Sequence, residues 1–269
     1  MLTAAESSVV LLPNRPAVPQ LPSKRDIRLE TGDFVTRLAL TEEERMSAFR
    51  LRFLVFNLEM NEGLDSAYVD GYDRDHFDDV CDHLIVEDRR TGAVVGTYRM
   101  QMGSVAGQYF GYYSELEFCF APYEAMRSQI VELGRACIHR DYRSSDVLHL
   151  LWRGIARYAL VNGARYMMGC CSLTSQDAEM GHAVHETLRS CMVAPELRTV
   201  ATPAFALPAA TAAIADVQVP KLLRAYLTIG AKICSGPAID RSFKTIDFLT
   251  LLDLQTLHPR VAKRFLEGR

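Results

Sequence analysis

Residues 130–173, IVELGRACIHRDYRSSDVLHLLWRGIARYALVNGARYMMGCCSL, limit the possible folds more than any other part of the chain. Residues 130–138 are a short, mostly apolar run carrying one carboxylate, Glu132, and one guanidinium, Arg135. After the polar turn 139–146, apolar residues recur at Leu148, Leu151, Trp152, Ile155, Ala156, Ala159 and Leu160. This is the spacing of one buried helix face. Ser145 is the expected N-cap, and Asn162-Gly163 the stop. Residues 164–172 form a second apolar run of strand length. A strand–helix–strand unit of this size makes two parallel strands joined by a right-handed crossover. The loop opening the helix is one candidate site, because a helix N-terminus attracts anions and Arg140 and Arg143 add charge beside it. An ordinary solvated connection explains the same residues, since the loop has no glycine-rich signature.

Elsewhere the pattern is that of a mixed α+β domain. Residues 1–26 contain Pro13, Pro16, Pro19 and Pro22 without periodicity and read as a flexible tail. Residues 27–269 read as a single domain with a C-terminal extension from about residue 195. A weakly alternating strand at 33–40 precedes Thr41-Glu42-Glu43-Glu44, a capping box. The helix it opens presents Met46, Phe49, Phe53, Phe56 and Met60, with Arg50 and Arg52 off the stripe. Residues 61–82 are dense in acids, among them Asp73, Asp75 and Asp78. They read either as a solvated loop or as a negative rim suited to an amine-bearing substrate. A hairpin is expected over 83–101 with Arg99 in its return strand, then an aromatic strand over 109–118 and a short helix over 122–129. A helix over 177–190 follows. The uncharged run 201–215 is expected as a buried loop or helix, or an apolar flap. Lys221, Arg224 and Lys232 lie on an amphipathic stretch, which leaves a peripheral membrane contact open. A closing strand at 245–252 precedes a last basic helix.

A net charge of −3 and the lack of helix-turn-helix or zinc-finger spacing argue against nucleic acid binding. The seven cysteines are odd in number and have no CxxC spacing, so they read as buried thiols of a reducing, cytoplasmic compartment. No metal-ligand spacing is present, and the acidic loop lacks the glycine and terminal glutamate of an EF-hand.

Four motifs resemble one family. Arg52-Phe53-Leu54-Val55-Phe56 is similar to an R-x-x-V-F helix, Asp75-His76-Phe77-Asp78 to a D-x-F-D loop, and Gly96-Thr97-Tyr98-Arg99 to a G-x-x-R strand. Glu132-Leu133-Gly134-Arg135 and the following His139-Arg140-Asp141-Tyr142-Arg143 complete the set. Together they resemble the branch of GNAT-fold acyltransferases that takes acyl groups from acyl carrier protein. That branch comprises the first-step ornithine lipid N-acyltransferases, the N-acyl amino acid synthases and, more distantly, the acyl-homoserine lactone synthases. Two departures stand out. The GNAT phosphate loop is replaced by residues 139–145, away from coenzyme A use. The tryptophan that follows the first helix of lactone synthases is absent.

The resemblance implies a GNAT-like, mainly antiparallel sheet with a parallel, splayed strand pair flanked by helices. It implies N-acyl transfer of a long-chain acyl group, plain or 3-hydroxylated, to an amino acid α-amine. Ornithine is the first expectation; tyrosine, glycine or glutamine are alternatives. No bound cofactor is expected, the donor arm being the phosphopantetheine of acyl carrier protein. The implied catalytic residues are Glu132 as base, with Leu133 and Gly134 supplying oxyanion N–H groups. Arg52, Phe56, Asp75, Asp78, Arg99 and Arg135 would surround the substrate. Arg140, Arg143, Trp152 and Ser172 would meet the donor or its carrier. Three readings compete: Glu132 as a buried salt-bridge partner of Arg99 or Arg135, a covalent route through Cys170 or Cys171, and a non-catalytic acyl- or carrier-binding module.

Overall fold

The computed structural model describes residues 27–210 and 217–263. The expected tail at 1–26 and most of the last basic stretch lie outside the described residues. Among the described residues nine strands form one sheet: β1 Arg28–Thr31, β2 Phe34–Leu38, β3 Asp82–Asp88, β4 Ala93–Met102, β5 Ile130–Ile138, β6 Tyr166–Leu173, β7 Lys232–Ile233, β8 Ala238–Asp240 and β9 Thr245–Asp253. Their order is β1-β2-β3-β4-β5-β6-β9-β7, with β8 also on β9. Among these described strands, β5 and β6 pair in parallel and the other strand pairs are antiparallel. This is the mixed α+β architecture expected from the sequence.

Helix α1, Glu42–Arg52, starts at the predicted capping box, Thr41 accepting from the Glu44 N–H while Glu44 reaches back. The chain then continues as a π-helical turn, Phe53–Glu59. Helix α2, Ser145–Val161, connects β5 to β6 and buries Val147, Leu150, Leu151, Ile155 and Tyr158. Its N-cap is Ser144, whose side chain accepts from the Val147 N–H, and not Ser145 as the spacing suggested. Gly154 lets α2 lie close on the sheet, since a Cβ there would come 2.7 Å from Leu84 Cδ2. Helix α3, Ala178–Leu188, and helix α4, Lys221–Thr228, complete the flanking layer.

Several expectations are corrected. Arg52, placed off the buried stripe, is fully buried because Asp73 and Asp78 neutralise it from the acidic loop. Residues 109–118 form no strand. Tyr112 and Phe118 are core plugs, and Ser114–Glu117 is a single helical turn. The hydrophobic cue was real, but it marked burial and not extension. The described part of 201–215 is a largely exposed loop with one 3-10 turn, Pro203–Phe205; its lack of charge reflects no core position. Strand β1 was not anticipated: RLET pairs with β2 but has too little apolar alternation to be read as a strand.

Candidate active site

The parallel pairing of β5 and β6 is brief. It joins Ile130 to Tyr166, Val131 to Met167 and Glu132 to Met168, and then stops, although β5 continues to Ile138 and β6 to Leu173. Two local features open this splay. The β4–β5 register runs from Thr97↔Cys137 to Arg99↔Gly134, so β5 carries an extra residue opposite β4. Such a bulge bends its strand and increases the local twist. Within it, Arg135 has φ +50°, a left-handed conformation uncommon for a non-glycine residue. At the vertex, Gly169 packs so closely on β5 that a Cβ would meet Leu133 O at 2.2 Å.

A cavity of about 540 Å³ passes through the splay. Alternation along the strands sorts its lining. Tyr98, Leu133 and Met167 face α2, and with Trp152, Ile155, Tyr226 and Leu252 they make an apolar compartment. Trp152 and Tyr226 stack at 5.7 Å between ring centroids, and the Tyr226 hydroxyl meets that of Tyr98. On the opposite sheet face, Arg99, Glu132, Ser172 and Asp247 line a polar compartment with Glu62, Tyr113, Arg135 and Asp240. Phe56 and Phe243 form its wall, edge to face at 5.2 Å.

Glu132 is buried at the junction of the two compartments. Neither Arg99 nor Arg135 bonds to it. Its Oε2 accepts from the Tyr113 N–H at 2.9 Å, and its Oε1 from the Ser114 N–H at 2.8 Å and from the Ser114 hydroxyl. Burial pushes this carboxyl above the usual range; the hydrogen bonds from Ser114 and Tyr113 oppose the shift without cancelling it. The salt-bridge reading of Glu132 is therefore replaced by a carboxylate seated on the main-chain N–H groups of residues 113 and 114.

The motif arginines and aspartates form a closed network beside this site. Arg52 donates from Nε to Asp73 and from both Nη to Asp78, at 2.8–2.9 Å. Arg99 donates to Asp75 at 2.7 Å and to Asp78 at 3.3 Å. Arg135 donates to Asp75 at 2.9 Å and lies 3.5 Å from Asp73. Desolvation works against Asp75 and Asp78, but the guanidinium charges win. They hold Asp75 down to about 2 and Asp78 well below the usual carboxylate range. Of these residues only Arg99 and Arg135 reach the cavity; Arg52, Asp75 and Asp78 stand behind it. Arg140 and Arg143 are exposed at the start of α2 and do not line the cavity, Arg143 pairing with Glu59 at 2.6 Å. Burial pushes the Cys170 thiol well above its ordinary pKa and Cys171 up to about 12. A nucleophilic cysteine needs the opposite shift and an adjacent base.

The sequence reading missed a second carboxylate group. Oxygens of Glu117, Asp240 and Asp247 all lie within 4.8 Å of one another, a set whose chemistry would suit a cation. An acid near the start of the apolar strand TIDFLTLLD was the available signal for Asp247.

The profile of the acetyltransferase (GNAT) domain family matches residues 51–153. L-ornithine N(alpha)-acyltransferase of Agrobacterium fabrum is 32% identical over 246 residues, covering 85% of this chain and 84% of that protein. The protein of the same name from Brucella abortus is 30% identical, covering 85% and 87%. The chain belongs to the L-ornithine N(alpha)-acyltransferase family. It is an acyltransferase with a GNAT-like fold. Among solved structures, FeeM, an N-acyl amino acid synthase from uncultured soil microbes, superposes with a TM-score of 0.52 at 11% identity, covering 84% of this chain and 95% of that one. The AHL synthase LasI gives 0.50 at 15% identity, covering 87% and 95%. These two likenesses concern the fold. No helix among the described residues is long and apolar enough to cross a membrane.

Proposed function

We propose that this acyltransferase moves a long-chain acyl group from the phosphopantetheine thioester of acyl carrier protein to the α-amine of ornithine. The observation carrying this reading is the cavity through the β5–β6 splay, apolar on the α2 face and polar on the other, with Glu132 between. An acyl chain would lie against Trp152, Ile155 and Tyr226. The pantetheine arm would pair with the backbone of β5 beyond Glu132, which has no β6 partner, as an added strand. That places the thioester carbonyl in the splay, where N–H groups of Leu133 and Gly134 would receive the developing oxyanion. The α-amine attacks the carbonyl carbon, the C–N bond forms and the C–S bond breaks. Glu132 takes a proton from the nitrogen, and the pantetheine sulfur leaves as a thiol after protonation. Arg99 and Arg135 give the acceptor side positive potential for the α-carboxylate, while Asp75, Asp78 and Arg52 fix those guanidinium groups. Arg140 and Arg143, exposed beside the splay strand, would meet the acidic carrier.

The names of the curated relatives support ornithine as acceptor. The test is mass spectrometry of purified protein given acyl and 3-hydroxyacyl chains on acyl carrier protein or on coenzyme A, with ornithine and the common amino acids. N-acylornithine from carrier-bound donors is the expected product. Product from coenzyme A donors alone, or another amino acid as acceptor, would overturn the corresponding half of the reading.

A further inference from the structure

Resting on that reading of the cavity, we infer that Asp247, Asp240 and Glu62, with Glu117 behind them, form the subsite for the acceptor's side-chain ammonium and so select a diamino acid. Asp247 and Asp240 face the same compartment as Glu132, and Glu62 joins them from the loop after the π-helical turn. Tyr113 connects the two places. Its N–H bonds Glu132 Oε2, and its hydroxyl donates to Asp240 Oδ2 at 2.6 Å. One residue thus touches both the proposed base and the acidic cluster.

The cluster is short of positive charge and of donors. Glu117 is completely buried, and Asp247 and Glu62 are 3% and 2% exposed, yet none of the three takes part in an ion pair among the described residues. Asp247 Oδ2 accepts from the Thr245 hydroxyl at 3.2 Å, with the Ser172 hydroxyl close by, but its Oδ1 meets no donor in hydrogen-bonding geometry. Glu62 Oε1, from a different part of the chain, is likewise without one, as are both Glu117 oxygens, and the Glu117 carboxyl lies beside that of Asp247. Among the described residues, buried Asp73 and Asp78 are paired with Arg52, and buried Asp88 with Arg90, while Glu132 is met by three N–H and O–H donors. Leaving buried acids unpaired is costly, and a ligand ammonium with three donors repairs that cost in a way a neutral side chain does not. An acceptor seated with its α-amine at Glu132 would place its second nitrogen among these oxygens.

The experiment compares ornithine with norvaline, which keeps the carbon chain but lacks the side-chain amine. It uses the wild-type protein and the Asp247→Asn and Glu117→Gln variants, with an acyl carrier protein donor. Wild type is expected to favour ornithine by at least 100-fold in kcat/KM, and either variant to shrink that ratio at least 10-fold, mainly through the ornithine KM. Thermal unfolding of each variant identifies any that fails to fold, and ornithine binding by calorimetry to the remaining variant then decides. Equal use of ornithine and norvaline by wild type would overturn the subsite while leaving N-acyl transfer standing. An unchanged ratio in folded variants would also overturn it. Ornithine selectivity that disappears with a chelator and returns with magnesium or calcium would assign the carboxylates to a metal and overturn the ammonium reading. If no acceptor is acylated from either donor, the catalytic reading fails. The subsite is then judged by calorimetry alone: ornithine binding without norvaline binding supports it, and equal or no binding overturns it.

Discussion

Gly169 and Leu133 touch across the vertex of the splay, leaving no room for a side chain: a Cβ at 169 would lie 2.2 Å from the Leu133 carbonyl oxygen. A methyl group there must push β6 from β5 exactly where their pairing ends, so the same contact sets the width of the opening. Gly169→Ala is expected to destabilise the protein by about 1–3 kcal/mol through overpacking. It should also lower kcat more than tenfold, because acyl transfer depends on ångström-scale placement of the thioester. Urea denaturation and steady-state kinetics on one preparation read both effects. Unaltered kcat with reduced stability would show that the vertex serves folding alone.

Glu132 accepts from three donors on Tyr113 and Ser114, so its replacement has a structural cost as well as a chemical one. A glutamine presents one oxygen and one NH₂, setting a donor against a donor. Glu132→Gln is expected to lose about 1–3 kcal/mol of stability and about 100- to 10,000-fold in turnover. Because burial raises this carboxyl, wild-type activity should climb with pH as Glu132 loses its proton. Single-turnover rates across pH, at a temperature where the variant is folded by circular dichroism, separate the two losses. A folded variant with wild-type rates would remove Glu132 from the chemistry.

The arginine–aspartate network predicts acid sensitivity. Burial holds His83 down to about 4, from an unperturbed value near 6.5, so it is neutral in the fold and charges more readily when unfolded. Its contribution is present above the unfolded value and is lost as pH falls toward about 4. Asp75, held at about 2, adds a contribution that is lost as pH falls from about 3.8 toward 2. Stability should therefore decline in two steps on acidification. Asp78→Asn, which takes a charge from buried Arg52 and Arg99, should cost about 3–5 kcal/mol at neutral pH. Chemical denaturation from pH 7 to pH 2 checks both, and a flat profile would contradict the assignment.

What the sequence revealed depended on how local the cause was. The Thr41–Glu44 capping box is made within one turn and was legible. So was the β3–β4 hairpin, whose alternation and turn are both local. The parallel pair followed from the helical face of α2 between two apolar runs. Arg52 was misplaced because its burial is compensated by Asp73 and Asp78, more than 20 residues away. Residues 109–118 misled because aromatics that plug a core and aromatics that line a strand look alike in sequence. The seat of Glu132 on the N–H groups of Tyr113 and Ser114 leaves no side-chain signature apart from the serine itself. Glu132 and Arg99 are legible as lone charges in apolar strands, and the motif resemblance gives them roles; Glu117 and Asp240 come together only when the Ser114–Glu117 turn and β8 are folded beside β9.

Asp247 offers the sharpest test of the acidic compartment, because burial raises it to about 6 from an unfolded value near 3.8. A carboxyl with a raised folded pKa binds more protons folded than unfolded, so stability falls as pH rises from about 3.8 to about 6 and stays reduced above that. At neutral pH this cost is at most about 3 kcal/mol, shared with the facing Glu117 carboxyl. Asp247→Asn, which never acquires the charge, should therefore be more stable than wild type at pH 8 and close to it at pH 4. A bound cation should remove the difference by making the charged form favourable, so ornithine should raise the unfolding temperature of wild type more than that of the variant. Differential scanning fluorimetry at the two pH values, with and without ornithine, measures all four quantities. A variant less stable than wild type at pH 8 would mean that Asp247 is paired in the free protein, and the argument from its burial would fall.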